Sequence, residues 1–281
     1  MKCLAVSFAA SLAVFSAPVF ADSAWDEIRA ELYGEREISS AGDVVTLTAP
    51  YRAKDDREVP IATTAHFADG RTVKSVSIII DGNPMPVSAV FDLETPEQSF
   101  AVTANMRING PTPVRVVVEA NDGALYMTED FVKTSGLGAC AAPPISGIKE
   151  AMATLGNMTL EPKVTAEAEP ESIVDSLTKV PASSSSVRAK PKNARLEIKH
   201  PSHSGMQMDQ ITLLYILARY VETVEVWTDE DKLFTMTGSI SLSEDPEIEF
   251  SYSTPDVQEI RVRMTDTEET VSEEVFPLGE S

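Results

Sequence analysis

Val73-Lys74-Ser75-Val76-Ser77-Ile78-Ile79-Ile80-Asp81-Gly82-Asn83-Pro84 is a β-branched run closed by four turn-forming residues, and a second run follows at residues 87–93. This is the pattern of a strand, a tight turn and a returning strand. The same unit recurs on both sides. Residues 44–48 form a run ended by Pro50, and residues 59–67 another. Residues 100–108 precede Asn109-Gly110-Pro111, residues 114–120 precede Asn121-Asp122-Gly123, and residues 125–132 complete the set. Seven short strands separated by Gly, Pro and Asn turns predict a β-sandwich. Strands do not alternate with helices, which argues against a Rossmann or barrel enzyme. One short helix is predicted ahead of the strands, over residues 25–32. Ser23 is its cap, and Trp25, Ile28 and Leu32 share one face.

A second series begins near residue 193. Its candidate strands are residues 195–199, 211–219, 223–228, 233–239, 248–253, 260–265 and 270–275. Residues 211–217 have the densest apolar face and are predicted as a central strand, although pattern alone leaves a helix open there. Between the series, residues 135–144 are rich in Gly, Ala and Pro, and residues 148–158 suit a short helix weakened by Gly156. The stretch from 161 to 192, with its Pro, Glu, Ala and four consecutive serines, offers little apolar area against the entropy of ordering. The predicted fold is all-β, two immunoglobulin-like β-sandwich domains joined by a flexible linker. Its divisions are a signal peptide at 1–21, a first sandwich with helix and cysteine arm at 22–159, a linker at 160–192, and a second sandwich at 193–281. Residues 33–45 and 211–217 are expected to stabilise the two halves.

Lys2, the apolar residues that follow it, and Val19-Phe20-Ala21 before Asp22 form a secretory signal pattern. The apolar run is too short and broken for a membrane span. A soluble periplasmic protein is the expectation. The formal charge of −21 repels nucleic acid and anionic membrane and favours encounter with a basic partner.

Of two cysteines in the chain, only Cys140 lies beyond the signal segment, so no internal disulfide is available. It sits in Gly138-Ala139-Cys140-Ala141-Ala142-Pro143-Pro144. Gly136 and Gly138 give the approaching chain freedom, while Pro143 and Pro144 stiffen the far side. Lys133 is the nearest base in sequence, and no Cys-x-x-Cys is present. Neither an autonomous thiol enzyme nor dithiol exchange is supported. The residues leave three readings open: an accessible thiol that carries cargo, a buried filler, and an intermolecular disulfide.

His200-Pro201-Ser202-His203-Ser204-Gly205-Met206-Gln207-Met208 has a second possible chemistry. Two imidazoles and two thioethers, His200, His203, Met206 and Met208, could bind copper, since thioethers favour Cu(I). The Pro and Gly equally make it an ordinary turn. His66 lies in a strand-like run and is expected to be structural. No Gly-x-Ser-x-Gly, His-Glu-x-x-His, phosphate loop or haem-attachment motif is present, and no cofactor is expected.

Three groups of residues resemble the sulfur-oxidation carrier proteins SoxY and SoxZ joined head to tail, as in the fused carriers associated with quinoprotein dehydrogenases. Residues 25–34 with Ala41-Gly42-Asp43-Val44-Val45 and Ala49-Pro50-Tyr51-Arg52-Ala53 resemble the start of SoxY. Val132-Lys133 leading to Gly136-Leu137-Gly138-Ala139-Cys140 resembles its cysteine arm. His200-Pro201 with Ser204-Gly205 resembles the His-Pro turn of SoxZ. The resemblance implies that Cys140 holds a covalent sulfur adduct and that separate periplasmic enzymes load, oxidise and release the sulfur. It also implies that His200, Pro201 and Gly205 serve structure or docking. Its expected partners are sulfur-oxidation or quinoprotein dehydrogenase-associated proteins, with the two domains pairing within the chain. The family arm is Gly-Gly-Cys-Gly-Gly at a chain end. Here alanine and proline replace glycines and Cys140 is internal, which points to a stiffer arm and leaves the cargo open. The alternatives are a copper chaperone and a non-catalytic accessory protein of a quinoprotein dehydrogenase.

Overall fold

The computed structural model describes residues 20–136, 139, 151–163, 191–209 and 211–278. The chain opens with α1 (Phe20–Tyr33) and β1 (Ile38–Ser40), then β2 (Val45–Thr48), β3 (Val59–His66), β4 (Val73–Ile80), β5 (Val87–Glu97), β6 (Ser99–Met106), β7 (Thr112–Ala120) and β8 (Leu125–Val132). The seven strands predicted in the first half are β2 to β8. The helix begins before Ser23, so that residue lies inside it rather than capping it.

Alternating burial shows why these runs are strands. In β3, Val59, Ile61 and Ala65 point inward, and in β6 Phe100, Val102, Ala104 and Met106 do so. β7 is buried on both faces. Val114, Val116 and Val118 face the main core, while Val117 joins Trp25, Ile79 and Leu125 beneath α1. The Arg115 guanidinium lies 4.6 Å from the Trp25 ring and 3.0 Å from the buried Asp81 carboxylate, so its charge is paired and its plane stacked where water is excluded. Residues 33–45 support this first half. Tyr33 and Ile38 pack on the outer cluster, and β1 pairs parallel with β8.

The second half contains β9 (Met158–Lys163), β10 (Lys192–Ile198), β11 (Val221–Thr228), β12 (Asp231–Gly238), β13 (Glu247–Tyr252), β14 (Glu259–Asp266) and β15 (Val271–Pro277). Two sequence expectations fail here. Residues 158–163 are a strand, antiparallel to β10, where the end of a helix and the start of the linker were predicted; residues 151–153 alone are helical on the described part of that segment. Pairing with β10 supplies the order that a Glu- and Pro-containing segment lacks by itself, with Met158 buried. Of the linker expected over 160–192, residues 164–190 lie outside the described residues, and its two ends belong to β9 and β10. The second failure is 211–217, which forms no central strand. Ile211, Leu213, Leu214, Tyr215 and Leu217 are exposed, and Ile216 is half-buried.

The strands form two sheets, packed face to face. One has nine strands in the order β1-β8-β7-β4-β5-β12-β11-β14-β15, the other six in the order β2-β3-β6-β13-β10-β9. Each sheet runs through both halves. β5 pairs antiparallel with β12, and β6 with β13. The halves are therefore joined by strand pairing as well as by the chain. Beneath the seam, four buried rings meet. Phe234 lies 5.7 Å from Phe91, 5.8 Å from Phe100 and 5.2 Å from Phe250, in edge-on geometry. Each such ring pair adds about 0.5–1.5 kcal/mol beyond its buried area. Side chains also cross the seam. Ser239 Oγ donates to the Ser88 carbonyl at 3.0 Å, and the Ala101 N–H donates to Ser251 Oγ at 2.8 Å.

A shared core predicts one cooperative transition. The two tryptophans report on opposite halves, Trp25 on the first and Trp227 on the second. Replacing each in turn with phenylalanine should leave coincident urea midpoints by fluorescence and circular dichroism. Phe234→Ala should lower stability by about 3–5 kcal/mol and shift both reporters together. Midpoints that separate would mean the halves fold independently.

Candidate functional site

The arm leaves the first half at the end of β8. Lys133 forms a parallel bridge with Arg52, its N–H donating to the Tyr51 carbonyl and its carbonyl accepting from Ala53, both at 2.8 Å. The chain is then gripped by a buried carboxylate. Asp56 accepts the Ser135 N–H on Oδ1 at 2.5 Å and the Gly136 N–H on Oδ2 at 3.1 Å. Charge-assisted bonds of this kind are shorter and stronger than neutral ones. The Asp56 carbonyl accepts from Ile108 at 2.9 Å, which ties the grip to the end of β6. Gly136 has φ 90° with open space where a side chain would stand, so backbone conformation rather than crowding calls for glycine. Ala139 is buried. Gly138 and Cys140 lie outside the described residues. Covalent geometry alone keeps the Cys140 backbone within about 14 Å of Gly136.

The chain returns on the second half. Met152 Sδ lies 3.8 Å from Arg219 Nη1. Gly156 donates to the Lys199 carbonyl at 2.8 Å, and a Cβ there would come within 1.9 Å of Ser272 Oγ. The segment carrying Cys140 is thus fixed to one half before the cysteine and to the other after it. Between the halves runs a groove of about 370 Å³. Asp55 and Glu58 line it from one side, Glu197, Glu244, Asp245 and Glu247 from the other, with Arg57 and Arg107 among them.

Arg107 joins this region to the His-Pro turn. Its Nη1 donates to the carbonyls of Ser202 and Leu242, each at 2.6 Å. His200 is buried and both ring nitrogens are occupied. Nδ1 accepts the Ser202 N–H at 2.9 Å, and Nε2 lies 3.4 Å from Asp266 Oδ2. Burial pushes the His200 pKa down to about 4, despite the attraction of Asp266. The ring is neutral at pH 7, with its Nε2 proton facing Asp266. Asp266 is itself held below the usual carboxylate range. Burial opposes this, but bonds from Arg219 and from the Thr270 and Glu268 N–H groups outweigh it. Pro201 is buried. Gly205, at φ 82°, lies where a Cβ would come within 3.2 Å of Ala218.

His203 is buried with Nδ1 3.1 Å from Gln207 Oε1, while Met206 and Met208 are exposed. The four side chains considered for copper therefore divide between the interior and the surface. Among the described residues, no group of three or more His, Cys, Asp or Glu side chains is placed to hold a metal ion, and no helix is long and apolar enough to cross a membrane. Sequence reasoning missed Asp56 and Arg107. Asp55-Asp56-Arg57 looks like a solvated charge run, and its only signal is a position between two strands.

The first half matches the family model of sulfur oxidation protein SoxY over residues 29–140. The second matches that of sulphur oxidation protein SoxZ over residues 182–277. A search of curated proteins returns no match. Among solved structures, the chain is similar to the sulfur carrier protein SoxY from Chlorobium limicola f thiosulfatophilum, at 23% identity and a TM-score of 0.33, covering 41% of this chain and 99% of that one. It is similar to a superoxide reductase (neelaredoxin) from Ignicoccus hospitalis at 12% identity and TM-score 0.30, with 37% and 98% covered. A putative superoxide reductase from Thermotoga maritima gives 15% identity and TM-score 0.31, with 37% and 97% covered. SoxY and SoxZ proteins are non-catalytic sulfur carriers of the periplasmic Sox pathway, and SoxY carries the sulfur on a cysteine. The chain belongs to this carrier family, with a SoxY domain and a SoxZ domain fused on one polypeptide.

Proposed function

We propose that Cys140 is the sulfur attachment point, and that the chain works in the periplasm, after loss of residues 1–21, as a covalent carrier between partner enzymes. The observation that carries this reading is that the SoxY match ends on residue 140, the cysteine left beyond the signal segment. The Asp56 grip supports it by holding the chain four residues ahead of the thiol. Gly136, expected as a point of flexibility, takes its positive φ at the gripped base, which leaves Gly138 as the arm's point of freedom beyond it. Each half is an immunoglobulin-like sandwich, and fusion makes the pairing of SoxY and SoxZ intramolecular, raising their effective concentration.

Loading with a thiosulfate-type anion is a two-electron oxidation. The thiol proton leaves, an S–S bond forms to the outer sulfur, and two electrons pass to the loading enzyme's acceptor. The carrier supplies the sulfur atom and the partner supplies the oxidant. His200, Pro201 and Gly205 form a structural turn that receives Arg107 across the seam. The occupied His200 nitrogens favour this role over a copper site.

Cys140→Ser should abolish partner-dependent sulfur turnover while leaving the unfolding free energy within about 0.5 kcal/mol of the parent. Full partner activity with the serine form would support the accessory-protein reading instead. Asp56→Asn should release the arm base. Amide exchange at Ser135 and Gly136 should accelerate about tenfold to a hundredfold, matching about 1.5–3 kcal/mol for hydrogen bonds to a charged group; unchanged exchange would remove the grip from the account.

His200 gives a pH signature. Its folded pKa of about 4 lies below the ordinary 6.5, so the unfolded chain binds more protons between those values. Its contribution is complete above pH 6.5 and is lost as pH falls toward 4, amounting to about 3 kcal/mol across the window. His200→Gln should flatten that part of the stability–pH curve. An unaltered slope would place the titration elsewhere.

A further inference from the structure

The apolar run that fails to become a core strand forms an ordered hairpin. His203 pairs with Arg219 and Met208 with Tyr215, and the Ile216 N–H donates to the Gln207 carbonyl at 2.8 Å. Its tip is tightly bonded. The Asp209 N–H donates to Leu214 and the Leu213 N–H to Asp209, both at 2.9 Å. The Asp209 carboxylate accepts the N–H groups of Ile211 and Thr212 at 3.0 and 2.7 Å. Leu213 is held at φ 57°, a left-handed conformation that a branched residue adopts only under outside constraint. On this frame Leu217 is 81% exposed and Ile211, Leu213, Leu214 and Tyr215 are 67–69% exposed. Five large apolar side chains held in water by a pre-formed loop are the surface pattern of a docking site.

Location and charge identify the occupant. The hairpin is continuous with the arm region. Gln207 lines the inter-half groove with Asp55 and Arg57, the neighbours of Asp56, and Arg219 at the hairpin base lies against Met152 on the returning arm. The base of the hairpin, at Gln207, therefore lines a groove with six carboxylates, on a chain of charge −21. A second copy or an anionic membrane would be repelled. A protein with an apolar recess bordered by Lys and Arg fits both features.

We propose that the hairpin of residues 206–209 and 211–217 docks the enzyme that acts on Cys140, into an apolar recess with a basic rim, so that the partner holds hairpin and arm together. This rests on the carrier reading of Cys140.

The test uses the mature full chain with a photoreactive residue at position 214, and separately a photoreactive group coupled to the Cys140 thiol, in periplasmic extract of its own cells. The same partner polypeptide should be captured from both positions, with the 214 contact mapping to apolar residues beside Lys or Arg. Loading of Cys140 with thiosulfate in that extract, followed by intact mass, should slow roughly tenfold or more for the Leu213→Ser, Leu217→Ser double variant, with an unchanged circular dichroism spectrum and a steeper salt dependence for the parent than for carriers lacking the groove carboxylates Glu244 and Asp245. Parental loading by the double variant overturns the proposal, as does capture at 214 of a second copy, of phosphatidylglycerol vesicles, or of a polypeptide different from the one at Cys140. A parent chain that takes no cargo at all sinks the carrier reading instead; the identity of the polypeptides captured at the two positions then still decides the docking.

Discussion

The pairing of β5 with β12 and β6 with β13 is the constraint on which the rest of the structure depends. It turns two sets of strands into two shared sheets and gives them one core, with Phe234 of the second half enclosed by Phe91 and Phe100 of the first. Main-chain hydrogen bonds set the register, and the rings make that register favourable by excluding water. A shift of one residue would turn Phe234 and Met236 outward and end the core at the seam.

This junction also builds the region around the arm. The first half supplies Asp56 and Arg107, the second supplies the His200 turn, the hairpin and the surface where the chain lands at Gly156. Arg107 reaches Ser202 and Leu242 only because the seam brings the ends of β6 and β13 together. The cysteine-bearing segment is anchored on both sides of that junction, so its reach is set by the relative position of the halves. Carboxylates concentrated in the groove give this end of the molecule a negative field, which suits a basic partner and disfavours self-association.

The first-half strands were legible because their apolar residues alternate or cluster between strong turn signals, as in Val73–Ile80 before Asp81-Gly82. β9 was not legible. Glu161 and Pro162 disfavour a strand and outweigh Thr159 and Leu160 in so short a run, and order comes from β10 alongside. Residues 211–217 misled for the opposite reason. Ile211, Leu213, Leu214 and Leu217 have core composition, but composition does not say whether anything lies beneath them. Cys140 stood out by elimination and by the small residues around it. Asp56 did not, since a buried carboxylate and an exposed one read alike in a charged tripeptide. The junction itself left no sequence signal, because β5 and β12 look like ordinary strands and only the fold shows them to be partners.

The central claim is that Cys140 bears labile sulfur. Its most direct test is intact and peptide mass measurement of the protein isolated from its own cells without reductant. The account predicts sulfur-containing mass increments confined to the peptide with Cys140 and removed by a thiol reductant. A population carrying only the free thiol, or a disulfide between two copies of the chain, under conditions of active sulfur metabolism would contradict it.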